Sequence, residues 1–235
     1  MSIPRLHVLI PAAGSGRRYD DTELKQYQPL HGKTVLAHVI GVFHCHPLVS
    51  SVTVVLAKDD QVFESAVGPL SAAVKTVTGG ETRVQSVRNG LQSIADDHPG
   101  SDWVLVHDAA RPCLSQARLD AFLDIGLASS EGAILAMPVG DTLKREGAAR
   151  EISGTVDRNG LWAAQTPQLF RIGALLKAID AARKKGCEIT DEASAMEFVG
   201  ARPLLVMGSA SNLKITHPGD LAIAEALLTR IERPS

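Results

Sequence analysis

LHVLIPAAGSGRR, residues 6–18, is the stretch on which the reading of the chain turns. Leu6, Val8, Leu9 and Ile10 form a short apolar run of the kind that makes a parallel strand buried on both faces. The run breaks into Pro11-Ala12-Ala13-Gly14-Ser15-Gly16, whose small side chains leave backbone N–H groups open to a ligand. Arg17 and Arg18 follow at once, and Lys25 soon after. A strand, a small-residue loop and then cations is what a polyphosphate requires: N–H groups cradle its oxygens and the cations offset its charge. A Gly-rich turn after a first strand is also simply a turn, and two familiar phosphate loops do not fit. The Walker lysine-serine/threonine ending is missing, as is the third glycine of the dinucleotide fingerprint.

Outward from this loop, hydrophobic spacing alternates between helix and strand. Thr34 is placed to cap a helix over residues 35–44, with Val35, Leu36, Val39, Ile40 and Phe43 as its buried stripe. Residues 51–57 read as a strand, 59–67 as a short helix and 74–77 as a third strand. GGETR, residues 79–83, leads into a helix with Val84, Val87, Leu91 and Ile94 on one face. Residues 103–106 form a fourth strand that ends in HDAARP, Ser115 caps a helix to about residue 128, and 133–139 is a fifth strand. The alternation fails over residues 141–159, where two polar strands joined by a turn read as a β-hairpin arm projecting from the domain. A helix over 171–185 then stops at Gly186, and Thr190 caps another over 191–199. Strands at 204–207 and 212–216 precede a last helix that has Pro218 in its first turn and runs to about residue 231. The pattern implies an α/β, Rossmann-like, mostly parallel sheet with helices on both faces. It is one domain over residues 1–235, with 141–159 as its arm. In such sheets ligands bind beyond the carboxyl ends of the strands, where three polar loops coincide: 11–18, 79–83 and 107–112.

Composition narrows the classes. Of 235 residues, 45% are hydrophobic, enough for a sizeable core. A net charge of −2 and an aromatic content of 4% argue against nucleic-acid and membrane-surface binding and against a base-stacking platform. No apolar run approaches the roughly 20 residues of a membrane span, and a strand starting at Leu6 leaves no room for a signal peptide. Cys45, Cys113 and Cys187 are odd in number and far apart, which fits a reducing cytoplasm.

Asp108, just past a buried strand, is of the type that holds Mg²⁺ together with phosphate oxygens and water; a turn aspartate is the plain alternative. Arg111 is placed to pair with it or with a phosphate. His44-Cys45-His46 is not read as a metal tripeptide, because residues two apart on a helix face different ways. Cys113 has no base partner, and no G-x-S-x-G elbow is present. Thr190-Asp191-Glu192 reads as a helix cap and Lys214 as a solvated lysine. Spacing alone thus leads to a cytoplasmic α/β protein that binds a phosphorylated or nucleotide ligand.

PAAGSGRR, KQY, GGETRVQSV, VLVHDAARP, DTLKR, TVDRNGLW, TPQLF, TDEAS and NLKIT together resemble the 2-C-methyl-D-erythritol 4-phosphate cytidylyltransferase family, from the first strand to the last helix. The first motif alone points only to a nucleotidyltransferase fold; VHDAARP with TVDRNGLW, TPQ and TDEAS narrows it. The resemblance implies transfer of CMP from CTP to 2-C-methyl-D-erythritol 4-phosphate with release of pyrophosphate. It implies that Pro11, Ala12, Ala13, Gly14, Ser15 and Gly16 hold the nucleotide and that Gly80, Glu81 and Ser86 read the cytosine. Arg18, Lys25 and Lys214 would serve the reacting phosphates, and Asp108 would hold Mg²⁺. Arg111, Thr142, Arg158, Thr166 and Thr190 would bind the acceptor, in a homodimer joined through the arm. One departure is Leu24 before the KQY lysine, where proline is frequent in the family. A cytidylyltransferase for a pentitol phosphate, such as ribitol 5-phosphate, and a non-catalytic CTP-binding regulator are the competing readings.

Overall fold

A computed structural model describes residues 5–14 and 24–231. Its centre is a seven-stranded sheet in the order β11-β7-β10-β6-β1-β4-β5. On one side of the middle lie β1 (Leu6–Pro11), β4 (Val49–Leu56), β5 (Lys75–Thr78) and β6 (Trp103–Val106), all parallel. β7 (Ala133–Pro138) and β11 (Leu204–Met207) run the same way on the other side. Between β6 and β7 stands β10 (Trp162–Arg171), antiparallel to both. Two short strands, β2 (Pro29–Leu30) and β3 (Lys33–Thr34), form a separate small hairpin.

Helices cover both faces, as expected. On one face α1 (Val35–His44), α2 (Phe63–Val67) and α4 (Gln116–Gly126) bury Leu36, Ile40, Phe43, Phe63, Leu119 and Phe122 against Val8, Ile10 and Leu105. On the other α3 (Arg83–Asp97), α5 (Ile172–Lys184) and α6 (Glu192–Phe198) bury Val87, Leu91, Leu175, Ile179 and Met196 against Leu9, Val104 and Phe170. Each fully buried Leu, Ile or Phe contributes roughly 1.5–3 kcal/mol of apolar transfer, so this two-sided core fixes where each strand ends. α7 (Gly219–Ile231) closes a third cluster over Leu30, Val35, Cys113 and Ile215.

The caps explain most helix starts. Thr34 accepts a hydrogen bond from Ala37 N–H and Ser115 from Arg118 N–H, as expected. Thr82 and Gln85 form a reciprocal capping box at α3. At α6 the cap is Asp191, not Thr190: the Asp191 carboxylate accepts from Ser194 N–H, while Thr190 N–H donates to the Ser194 hydroxyl. The short second helix starts at Phe63 rather than residue 59, because Asp60 turns back to accept the N–H groups of Val62 and Phe63.

The second half of the sheet holds one strand that the sequence reading did not assign and lacks one that it did. β10, in a stretch given no element from the sequence, is ten residues of strand. Its pairing with β7 shifts between Ala164 and Gln168, and Pro167, after a cis peptide bond, sits in that irregular stretch, where its missing N–H costs no ladder bond. Residues 212–216, expected as a strand, pair with no strand among the described residues. Ile215 N–H instead donates to Ala110 O, and the Ile215 side chain is buried in the third cluster.

The polar hairpin forms as expected: β8 (Leu143–Glu146) and β9 (Ile152–Val156) pair antiparallel, apart from the main sheet. Among the described residues no helix is long and apolar enough to cross a membrane.

Candidate active site

Where β1, β5 and β6 end, their connections surround a cavity of about 530 Å³. Its first wall is the loop after β1. Ala12 N–H donates to Val55 O, and buried Gln26 donates to Ala12 O at 2.9 Å, so the loop is stitched to its own return. Pro11, Ala12, Ala13 and Gly14 line the cavity as expected. Ser15, Gly16 and Arg18, expected beside them, lie outside the described residues. Lys25, the first residue of a short 3₁₀ turn, lines the cavity, and its ammonium donates to Ile215 O at 3.2 Å.

The second wall is the turn between β5 and α3. Gly79 N–H donates to Leu56 O at 2.8 Å, which carries the turn in against the first loop. A Cβ on Gly79 would stand 2.7 Å from Ala13 Cβ and 2.7 Å from the Ser86 hydroxyl, so the two loops touch only because this residue has no side chain. Ser86 is buried; its hydroxyl accepts from Gly80 N–H at 3.1 Å and donates to Thr82 O at 3.0 Å. One lone pair is left to face the cavity that Gly80, Glu81 and Ser86 line.

The floor is Asp108. Lys214 Nζ lies 2.9 Å from its Oδ2, Arg111 Nε 3.4 Å from the same oxygen and Arg83 Nη2 3.4 Å from Oδ1. Burial alone would raise this carboxyl, but Lys214, then Arg83 and Arg111, outweigh it and hold the group well below the usual carboxylate range. The group is therefore ionised, and three cations converge on one negative charge. Arg83 is itself held bidentate by buried Glu192, at 2.7 and 3.1 Å. Arg111 donates to Asn212 O at 2.7 Å, tying the segment that carries Lys214.

Behind Asp108 a buried relay sets its backbone. Asp108 N–H donates to the Thr166 hydroxyl at 3.0 Å, and that hydroxyl meets His107 Nδ1 at 3.1 Å. His107 Nε2 meets Arg111 O at 3.1 Å, and a carbonyl only accepts, so Nε2 carries the proton and Nδ1 receives the Thr166 O–H. Burial lowers the His107 pKa to about 4, which keeps the ring neutral. Thr166 can reach this place because the irregularity in β10 frees it from the ladder.

The expected acceptor residues therefore divide. Arg111 and Thr166 stand at Asp108, Thr166 from below it. Thr142 and Arg158 are exposed on the hairpin and do not line the cavity; the Arg158 guanidinium donates to Gly140 O. Thr190 is exposed too, two residues before Glu192. Sequence reasoning missed Arg83, Glu192, His107 and Asn212. Arg83 and Glu192 both fall in stretches already singled out, GGETR and TDEAS, but nothing local pairs residues so far apart. Cys113 is buried and its thiol is pushed up to about 11 by that burial, so no nucleophile is on offer there.

The chain as a whole is similar to known proteins of one family. A profile of the 2-C-methyl-D-erythritol 4-phosphate cytidylyltransferase family matches residues 6–230. A protein of that name from Dechloromonas aromatica is 46% identical over 228 residues, covering 96% of this chain and 98% of the relative. One from Haemophilus influenzae is 46% identical over 222 residues, covering 94% and 96%. A crystal structure of a 4-diphosphocytidyl-2C-methyl-D-erythritol synthase superposes with a TM-score of 0.85 at 43% identity, over 97% of this chain and 100% of the other. The 2-C-methyl-D-erythritol 4-phosphate cytidylyltransferase of Thermus thermophilus does so at 0.79 and 32% identity, over 96% and 99%.

Proposed function

The chain belongs to the 2-C-methyl-D-erythritol 4-phosphate cytidylyltransferase family, and from that premise we propose how its residues move CMP from CTP to 2-C-methyl-D-erythritol 4-phosphate. The products are 4-diphosphocytidyl-2-C-methyl-D-erythritol and pyrophosphate, a step of non-mevalonate isoprenoid synthesis. One domain over residues 1–235 carries the reaction in the cytoplasm, with 141–159 as a dimerisation arm.

The observation that carries the reading is the meeting of Lys214, Arg83 and Arg111 on buried Asp108 at the floor of the cavity. The acceptor's phosphate already bears a negative oxygen. That oxygen attacks the α-phosphorus, the α–β bridging bond breaks, and its electron pair leaves with pyrophosphate. No side chain need remove a proton, which fits a neutral, fully engaged His107 and an inert Cys113. What remains is in-line positioning and charge neutralisation. The loop Pro11–Ala12–Ala13–Gly14–Ser15–Gly16 holds the triphosphate on N–H groups, and Gly80, Glu81 and the Ser86 hydroxyl read the cytosine. Arg18, Lys25 and Lys214 offset the charge that builds at the reacting phosphates.

Mg²⁺ fits Asp108 only in company with the nucleotide. A divalent ion alone would add charge where three cations already stand; a triphosphate brings both the negative charge and the oxygens that a hard cation takes. Bound there, the ion would neutralise charge on the phosphates. Asp108 would trade its contacts with Lys214 and Arg111 for the ion and free both cations for substrate. Arg111, Thr166 and Thr190 serve the acceptor in their own chain's site, and Thr142 and Arg158 reach the site of a second copy.

Pyrophosphate release tests the reading. The expected outcome is rapid release with CTP plus 2-C-methyl-D-erythritol 4-phosphate and far slower release when UTP or ATP replaces CTP, because a site that hydrogen-bonds one base leaves polar groups unpaired with another. Equal turnover with UTP overturns the cytosine assignment, and preference for ribitol 5-phosphate overturns the acceptor.

A further inference from the structure

At the opposite edge of the sheet from the cavity, where β1 and β6 begin, His7, His98 and Asp102 form a half-closed cluster. His7 and Asp102 are buried and His98 is half-buried. We propose that this cluster is a zinc site that ties the start of β1 to the α3–β6 turn.

The donor set has the right chemistry and spacing. One nitrogen of each ring and one Asp102 oxygen all lie within 4.8 Å of one another. His7 Nε2 and Asp102 Oδ2 are 3.3 Å apart. Bonds of roughly 2.0–2.1 Å in a tetrahedron place two donors about 3.4 Å apart, so this pair already stands at the separation a shared ion needs. The His98 ring stacks on His7 with centroids 4.1 Å apart, and a turn about its side-chain bonds at this partly open corner brings in the third donor. The other His7 nitrogen, Nδ1, meets the Ser51 hydroxyl at 2.8 Å, the kind of partner that orients a metal-bound imidazole. Asp102 is braced as well, by Arg5 N–H at 3.1 Å. Two imidazoles and one carboxylate with an open fourth position suit Zn²⁺. On binding, the His7 ring's single proton passes by way of solvent from Nε2 to Nδ1, where the Ser51 hydroxyl accepts it, and the freed Nε2 lone pair goes to the ion. The site lies a strand's length from Asp108, so its ion braces the fold and takes no part in CMP transfer.

Metal-stripped protein is titrated with Zn²⁺ against a chromophoric chelator, in excess Mg²⁺, alongside His98→Ala. The expected result is one equivalent bound by the wild type, with a raised Tm. Affinity should fall by more than about 100-fold in His98→Ala, since outer-shell partners alone are worth roughly 10- to 100-fold, with turnover on CTP unchanged. X-ray absorption of the zinc-loaded wild type should show nitrogen and oxygen neighbours with imidazole scattering. His98→Ala sits on the open side and avoids the folding risk of replacing His7 or Asp102. Equal affinity in the two proteins, no stoichiometric zinc in either, or sulfur neighbours from exposed Cys45 or Cys187 would each overturn the proposal.

Discussion

Asp108 and His107 are neighbours with opposite duties, and acid separates them. His107 has a folded pKa of about 4 against an ordinary value of 6.5, so the folded state refuses a proton that the unfolded chain accepts. Stability must fall as the pH drops from 6.5 towards 4, by up to about 3 kcal/mol from this one ring. Asp108 acts lower down. Its folded value is depressed, so its contribution is complete above the ordinary carboxylate range and is lost as the pH falls beneath it. Urea denaturation of the wild type and His107→Gln at a series of pH values separates the two, since only the upper part of the curve should flatten in the variant; parallel curves would mean that the ring titrates freely. Asp108→Asn keeps the shape but leaves Lys214, Arg83 and Arg111 without their shared anion. Turnover should drop by roughly 10²–10³, and the Mg²⁺ concentration needed for half-activity should rise steeply; an unchanged Mg²⁺ dependence would reduce Asp108 to a counter-ion. Asp108 itself was legible in the sequence because it follows a buried strand. Arg83 and Glu192 were not, because a salt bridge that closes across two loops leaves no local pattern.

Among the elements, α1 and α4 were readable almost to the residue because a capping hydroxyl and an apolar stripe agree at each start. β10 was not readable. Thr166, Pro167, Gln168, Leu169 and Phe170 are all buried, so no alternation marks a face, and a proline ordinarily argues against a strand. Residues 212–216 misled in the opposite sense: they alternate correctly, but no strand edge is there to receive them. Two glycines should show how elements differ in what they tolerate. Gly41, within α1, has no atom within 4 Å of where a Cβ would stand, so Gly41→Ala should stabilise the protein by about 0.5–1 kcal/mol. Gly79→Ala would instead wedge the β5–α3 turn away from Ala13, costing about 1–3 kcal/mol and raising KM for CTP. Thermal melts and CTP saturation curves on both variants check the contrast; a normal KM in Gly79→Ala would show that the two walls need not touch.

For the whole molecule, the hairpin poses the main question, because Arg158 and Thr142 stand outside the cavity of their own chain. If they serve a second copy, two inactive variants should rescue each other. After subunit exchange, each mixed dimer of Lys25→Ala and Arg158→Ala has one doubly damaged site and one intact site, so equal amounts should recover roughly a quarter of wild-type activity. No recovery, with exchange confirmed by mass, would mean that each chain completes its own site. The sheet order has a separate consequence, for a chain that emerges amino end first. β6 ends at Val106 and β7 at Pro138, yet the strand that must lie between them begins only at Trp162. While residues 139–161 are still being made, two finished strands face a gap one strand wide, each with a bare edge. β7 is then the nearest partner for β6 and the wrong one, and either edge is a template for a neighbouring nascent chain. The slot that later positions Thr166 beneath Asp108 is thus, during synthesis, the place where this protein is most open to mispairing, and a ribosome that stalls before Trp162 holds it open.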